Sequence, residues 1–289
     1  MAVAPAITVR RATPEDAPRC GEICYEAFAA INRAHGFPPD FPNPEIASGL
    51  LSMLFAHPGF YAIVADADGR PVGSNALDER NPISGVGPIT VDPGAQNHGI
   101  GRRLMDAVLQ RSDERKFRGV RLVQAAFHNR SLSLYTKLGF DAVEPLSVMN
   151  GTLTCGVPSG HGVRKATEGD VDACNALCTE VHGHDRAGEL KDAIHQGAAL
   201  VVERDNAVTG YATGFGYFGH AVGKDNSDLQ ALIARATQVM GPGMLIPTRN
   251  AALFRWCLNN GLRVLFPMTL MAKGYYQEPS GSYLPSILY

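Results

Sequence analysis

The sequence predicts an α/β chain built from two copies of one fold, and three observations carry that expectation. "VRRATPEDAPRCGEIC" (9–24) and "VRKATEGDVDACNALC" (163–178) coincide at seven of sixteen positions, 154 residues apart. Runs of β-branched residues give way to amphipathic helical patterns, as in "ITVDPGAQNHGIGRRLM" (89–105). Between the copies, "NGTLTCGVPSGHG" (150–162) has the Gly, Ser, Thr and Pro content of a linker. At 289 residues the chain is long enough to bury two cores.

Each copy opens on a strand, then a Thr N-cap (Thr13, Thr167) with acidic residues in the first turn, then a helix. Cys20/Cys24 and Cys174/Cys178 are each four apart, so each pair shares a helix face and recurs because the element recurs. Zinc ligands usually stand two apart on loops, so these faces read as buried packing surfaces and no metal is expected. Next, "YAIVADADGRPVG" aligns with "LVVERDNAVTG", two strands around a tight turn, with Gly73 opposite Gly210 at an offset of 137. "HNRSLSLYTKLGF" (128–140) aligns with "NAALFRWCLNNGL" (250–262) at an offset of 122; each reads as a short helix, a C′ glycine and a strand. The falling offset makes the second copy shorter by 17 residues before the hairpin and by 15 after it. The copies are placed at 1–152 and 163–289, joined by a linker over 153–162. The tail "GSYLPSILY" is apolar enough to predict packing against the body.

Charge excludes several function classes. A net charge of −2 and a pI near 6.5 argue against nucleic acid and anionic membranes as partners. No apolar run approaches the roughly 20 residues of a membrane span. "MAVAPAITVR" has no basic segment ahead of an apolar core, so no signal peptide is expected. The six cysteines fit a reducing cytoplasm.

The segment after Ile89, Thr90 and Val91 carries the chemistry. A strand, a glycine loop and a helix together turn unpaired backbone N–H groups toward an anion. Gly99 and Gly101 allow close approach and positive φ. Leu104, Met105, Val108 and Leu109 form the helix's apolar face. Arg102 and Arg103 oppose the helix dipole in its first turn, a placement that an anion opposite would justify. No Gly-Lys-Ser/Thr follows, so this is not a P-loop; Leu104 stands where the dinucleotide fingerprint needs its third glycine.

"QNHGIG" (96–101) resembles the Gln/Arg-x-x-Gly-x-Gly/Ala motif of the GNAT superfamily, the acyl-CoA-dependent N-acetyltransferases. "RLVQAAFHNRSLSLYTKLGFDAV" (121–143) resembles the family's fifth strand, fourth helix and sixth strand, including its Leu-Tyr-x-x-x-Gly-Phe signature. "ITVRRATPEDA" (7–17) resembles its opening strand and helix, so the likeness covers about 140 residues. It implies a mostly antiparallel mixed sheet flanked by helices, here in tandem, with acetyl-CoA as co-substrate. By the same resemblance the backbone of Ile89, Thr90 and Val91 pairs with the pantetheine arm. Gln96, Asn97, His98, Gly99, Ile100, Gly101 and Arg102 hold the pyrophosphate. Gly87-Pro88 fits a bulge where two strands splay. Tyr135 matches the family's Tyr and is the candidate general acid for the departing thiolate. His128 departs from the pattern, standing where the family usually has Asn, with Asn129 one place on as the cofactor-binding candidate.

The family's fourth-strand Glu has no counterpart in "GVGPITV", so the general base is not legible; Glu79 and Asp78, after the third strand, are candidates, with a water relay the alternative. In the second copy the pyrophosphate motif is missing, Cys257 stands at the Tyr135 position, and "GYATGFGYFGHAVGKDNSDLQ" (210–230) replaces the loop. That copy reads as a degenerate fold without its own acyl-CoA, in which Asp185, Arg186, Glu189 and His220, with Glu79 from the first copy, are candidates to line an acceptor cleft. The function this implies is acetyl transfer from acetyl-CoA to a primary amine of a small molecule or peptide, in a ternary complex, by a monomer or homodimer. The alternatives are a non-catalytic acyl-CoA binding or sensing protein and, third, transfer to a hydroxyl.

Overall fold

The structure is a computed structural model, described here over residues 7–289. Residues 1–6, part of the stretch read above for a signal peptide, lie outside them. Two compact units divide the chain: 1–79 with 84–120, and 80–83 with 121–289. Among the described residues no helix is long and apolar enough to cross a membrane.

The first unit opens with β1 (Ile7–Arg11), followed by helices α1 (Ala17–Ala34) and α2 (Pro44–Ala56). β2 (Phe60–Ala67) and β3 (Arg70–Asp78) form a hairpin turned by Asp68 and Gly69, both with positive φ. β4 (Ile83–Val86) and β5 (Thr90–Val91) both pair antiparallel with β3, and α3 (Ile100–Glu114) follows. β1 pairs with β2, so the strands run β1-β2-β3-β4 with β5 beside β3. α1 and α3 pack on this sheet. Leu104, Met105 and Val108 are fully buried, as the apolar face of the helix predicts.

The second unit takes in most of β6 (Gly119–Ala125), then α4 (Asn129–Lys137) and β7 (Asp141–Gly151). The second sequence copy begins at β8 (Gly162–Lys165), with α5 (Val171–His182) and α6 (Ala187–His195). A hairpin of β9 (Leu200–Arg204) and β10 (Ala207–Ala212) precedes β11 (Ala221–Gly223) and α7 (Asn226–Ile233). β12 (Met244–Pro247), α8 (Ala251–Asn259), β13 (Leu262–Gly274) and β14 (Ser282–Leu284) complete the chain.

Two sheets result. One runs β14-β11-β10-β9-β8. In the other, the order β6-β13-β7-β12 interleaves the sequence copies. β7 of the first copy lies between β13 and β12 of the second, in register from Leu262↔Gly151 to Ala272↔Asp141 and from Met244↔Met149 to Pro247↔Leu146. The packing units therefore do not follow the sequence repeat. The core around Met149 is shared in the same way, with Leu229, Leu232, Ile246, Leu253 and Leu262.

Local geometry repeats as closely as the sequence does. Asp16 accepts from the Thr13 N–H at 2.8 Å, and Asp170 from the Thr167 N–H at 2.7 Å. Arg10 binds Asp16 with both terminal nitrogens at 2.8 Å, and Arg164 binds Asp170 at 2.8 and 2.7 Å. These bonds to arginine hold both carboxyls below the usual carboxylate range. A carboxyl depressed on folding stabilises above its unfolded pKa, and that contribution disappears as pH falls through the folded value. Asp170→Ala should lower stability by about 1–2 kcal/mol at pH 7, from a lost cap and a charged hydrogen bond at a half-open site. Melting curves at pH 7 and pH 3 check it, since the gap between wild type and variant should narrow on acidification. The four paired cysteines are fully buried on α1 and α5, and burial pushes the Cys174 thiol up to about 12 and Cys178 to about 11.

Candidate functional site

β5 is placed by a glycine on its neighbour. Thr90 and Val91 pair with Ser74 and Gly73, and a Cβ on Gly73 would sit 2.7 Å from the Thr90 carbonyl oxygen. Among the described strands, β5 pairs with β3 alone. The ladder along β3 breaks at 87–89, where the register shifts by one residue and Gly87 N–H donates to the Ala76 carbonyl at 2.9 Å. This is the bulge that Gly87-Pro88 suggests, and Ile89 lies inside it.

After Val91 the loop is braced by its own side chains. Asp92 accepts from the Gly94 N–H at 2.9 Å and pairs with Arg19. The Gln96 side-chain amide donates to the Val91 carbonyl at 3.2 Å, and His98 Nδ1–H donates to the Ala95 carbonyl at 3.3 Å. Asn97 and Gly99 take positive φ, 69° and 77°. Gly99 is the N-cap of α3, and with no side chain it leaves the helix start uncovered. The first helical bond is Arg103 N–H to the Gly99 carbonyl at 3.1 Å, so the amides of Ile100, Gly101 and Arg102 have no intrahelical acceptor. Asn97, His98, Gly99 and Arg102 are exposed. Gly101 is helical, so its use is close approach and not an unusual φ. A helix start with no side-chain cap and no carboxylate in its first turn is suited to an anion.

The corresponding place in the second copy is closed by carboxylates. Asp225 caps α7, accepting from the Ser227 N–H at 2.8 Å. Asp228, fully buried in the first turn, accepts from the Asp225 N–H at 3.2 Å, Thr209 Oγ1 at 2.6 Å and Arg204 at 3.0 Å. Two acidic side chains occupy the space and the potential that a phosphate would need.

Tyr135 and Asn129 stand on α4 in the second unit. Tyr135 is buried, in edge contact with Phe140 at 6.3 Å between centroids, and burial pushes its phenol well up. It stays protonated at neutral pH, the state a proton donor requires. Cys257 matches it on α8, with its thiol pushed by burial to about 12. Asn129 opens α4, its carbonyl accepting from Ser133 Oγ at 2.8 Å. His128 caps α4: its Nδ1 accepts from the Ser131 N–H at 3.2 Å, as Asn250 Oδ1 accepts from the Leu253 N–H at 3.2 Å in the second copy.

The acceptor candidates fall into three kinds. Glu79, in the first unit, is occupied on both oxygens by Arg111, at 2.6 and 3.1 Å. Asp185 is half-buried and accepts from the Ala187 N–H at 3.2 Å. Arg186, Glu189 and His220 form one buried network: Arg186 Nη2 lies 2.5 Å from Glu189 Oε2, and His220 Nδ1 lies 3.1 Å from Glu189 Oε1. His220 Nε2 meets Tyr211 OH at 2.9 Å. Burial alone would raise Glu189, but Arg186 and His220 bring it well below the carboxylate range, while burial takes His220 down to about 4. Sequence reasoning missed three further polar groups of the second unit, Glu144, Tyr276 and Tyr283; the apolar tail holding Tyr283 was their only signal. No group of three or more His, Cys, Asp or Glu that could hold a metal occurs among the described residues.

The sequence model of the Acetyltransferase (GNAT) family matches residues 25–140. A mycothiol acetyltransferase of Nocardia farcinica is 41% identical over 63 residues, 22% of this chain and 21% of that protein, so the match spans about a fifth of the relative's length. A GCN5-related N-acetyltransferase structure from Sphaerobacter thermophilus superposes with a TM-score of 0.62 at 18% identity, covering 96% of this chain and 98% of that one. A tandem GNAT protein from the clavulanic acid biosynthesis pathway gives 0.56 at 14% identity, covering 93% and 98%. The matched segment is similar to the acetyltransferase (GNAT) family, and the two structural likenesses, each spanning more than nine-tenths of the chain, show a fold shared with those proteins.

Proposed function

We propose that this chain is an acetyl-CoA-dependent N-acetyltransferase acting on a primary amine of a small molecule or peptide. One observation carries the reading: α3 starts at Gly99 with its amides uncovered, directly after a strand paired on one side only, whereas α7 starts behind two carboxylates. In this reading the backbone of Ile89, Thr90 and Val91 takes the pantetheine arm as an added strand. The segment Gln96–Arg102 takes the pyrophosphate. The first sequence copy, 1–152, seats the acyl donor; the copy at 163–289, beyond the 153–162 linker, seats none. The neutral amine attacks the thioester carbonyl, the C–S bond breaks, Tyr135 gives its proton to the departing thiolate, and the proton lost by the attacking nitrogen passes through water to restore the phenol. The buried Arg186–Glu189–His220 network serves as a rigid support, since its charged atoms already bind one another.

Thiol release from acetyl-CoA in the presence of primary amines tests this, with Tyr135→Phe as the variant. Turnover should fall about 100-fold on loss of the general acid, with acetyl-CoA affinity unchanged. Unchanged turnover removes Tyr135 from the chemistry. Acetyl-CoA binding by the wild type without thiol release from any amine favours a binding or sensing protein instead.

A further inference from the structure

Among the buried polar atoms of the second unit with no hydrogen-bond partner among the described residues are four on linked residues: Glu144 Oε1, Tyr276 OH, Tyr283 OH and His184 Nε2. The residues that carry them join through ring contacts. Tyr283 lies edge-on to His182 at 5.1 Å, and His182 and His184 both face the Tyr289 ring at 5.7 Å. The Arg121 guanidinium spans Tyr289 at 5.3 Å and Tyr276 at 5.1 Å. Glu144 closes the circuit, lying near enough to both remaining tyrosines to raise their phenols beyond what burial does. A single orphaned polar atom is tolerable, but four in one circuit would destabilise the fold substantially unless a polar guest fills it.

The chemistry of the orphans selects the guest. Arg249 holds Glu144 by Oε2 alone, at 3.0 and 2.6 Å, which leaves Oε1 turned to accept. His184 Nδ1 lies 3.1 Å from the Asp185 carbonyl, which can only accept, so Nδ1 carries the proton. Burial holds the ring neutral, with a pKa near 4, so His184 Nε2 is a second acceptor. Two phenols able to accept and several electron-rich ring faces complete the set. A donor-rich group meets these demands, and a neutral primary amine meets them best, with N–H bonds for the acceptors and no positive charge to set against the Arg121 guanidinium.

We infer that the Glu144–Tyr276–Tyr283–His184 circuit is the acceptor subsite, and that it takes the primary amine of the substrate. This rests on the acyl-transfer reading above, but it can fail separately. The full chain is titrated with ethanolamine, cadaverine, L-lysine and glucosamine, followed by melting temperature and by thiol release from acetyl-CoA. At least one of these amines should raise the melting temperature. For that amine, Glu144→Gln and Tyr283→Phe should each raise the half-saturating concentration about tenfold, the worth of one hydrogen bond to a charged group. The KM for acetyl-CoA should stay unchanged. Without amine, Tyr283→Phe should melt at or above the wild-type temperature, because it removes an orphaned hydroxyl from the interior. Binding of none of the four amines, an amine response unaffected in both variants, or a ligand-free Tyr283→Phe protein melting several degrees low would overturn the inference. Thiol release with unaltered amine KM in the variants keeps the enzyme reading and removes this subsite. Amine binding lost in the variants, in a wild type that releases no thiol, keeps the subsite and removes the acyl transfer.

Discussion

A chain ending at residue 152 is expected not to fold into a stable protein, even though it contains the entire first sequence copy. β13 lies between β6 and β7, and β12 covers the far edge of β7. Removing the second copy strips β7 of both neighbours and leaves Leu146, Val148 and Met149, each within 1% of full burial, open to water. It also removes Phe266, Leu270 and Met271, which are buried to the same degree or nearly so. Each such side chain contributes about 1.5–3 kcal/mol by burial, so six of them match or exceed the roughly 5–15 kcal/mol by which a whole domain is stable. The bare strand would present unpaired N–H and C=O groups on two edges, a template for aggregation. Expressed alone, 1–152 and 153–289 should each be insoluble or melt without a cooperative transition, and co-expression should recover a soluble complex. A soluble 1–152 fragment with a sharp melt would contradict the interleaved sheet.

The interleaving also marks where the sequence stopped being informative. The repeat offsets identify which elements correspond, down to the Arg-x-x-Thr-x-x-Asp turns at Arg10 and Arg164 and the closing glycines Gly139 and Gly261, both with positive φ. Such features are local, fixed by a few neighbouring residues. Whether β7 lies beside its own β6 or beside β13 is not local. Either arrangement buries the same alternating apolar residues, and only long-range register decides. The same distinction separates the two halves of the site reading. Strand, glycine loop and helix are contiguous, so the α3 start was legible. The proposed acceptor circuit draws Glu144, His184, Tyr276 and Tyr283 from four separate stretches, with no spacing to connect them. Likewise Arg186, Glu189 and His220 were legible as a polar group, but their burial and mutual pairing depend on a partner 31 residues away in the chain.

Gly101→Asp should abolish acetyl-CoA binding while leaving the fold as stable as before or more so. Position 101 is the second residue of α3, beside the amides of Ile100 and Arg102. A carboxylate there would sit against the positive end of the helix dipole, an arrangement worth about 0.3–1 kcal/mol to the helix. It would also place a negative charge and four heavy atoms where the pyrophosphate is proposed to lie. Repulsion and lost amide contacts together should weaken binding by about 100-fold or more, since each lost hydrogen bond to a charged group accounts for about 1.5–3 kcal/mol. The second copy already carries this substitution in effect, with Asp225 and Asp228 at the start of α7. Gly99→Ala makes the useful contrast, because it keeps the site neutral but forces a Cβ into φ 77°, at an expense of about 1 kcal/mol. Calorimetric titration with acetyl-CoA and parallel melting curves separate the two effects: affinity lost with stability kept for Gly101→Asp, and stability reduced with affinity largely kept for Gly99→Ala. Full affinity in Gly101→Asp would remove the pyrophosphate from this helix, and with it the asymmetry between α3 and α7 on which the assignment of the acyl donor to the first copy depends.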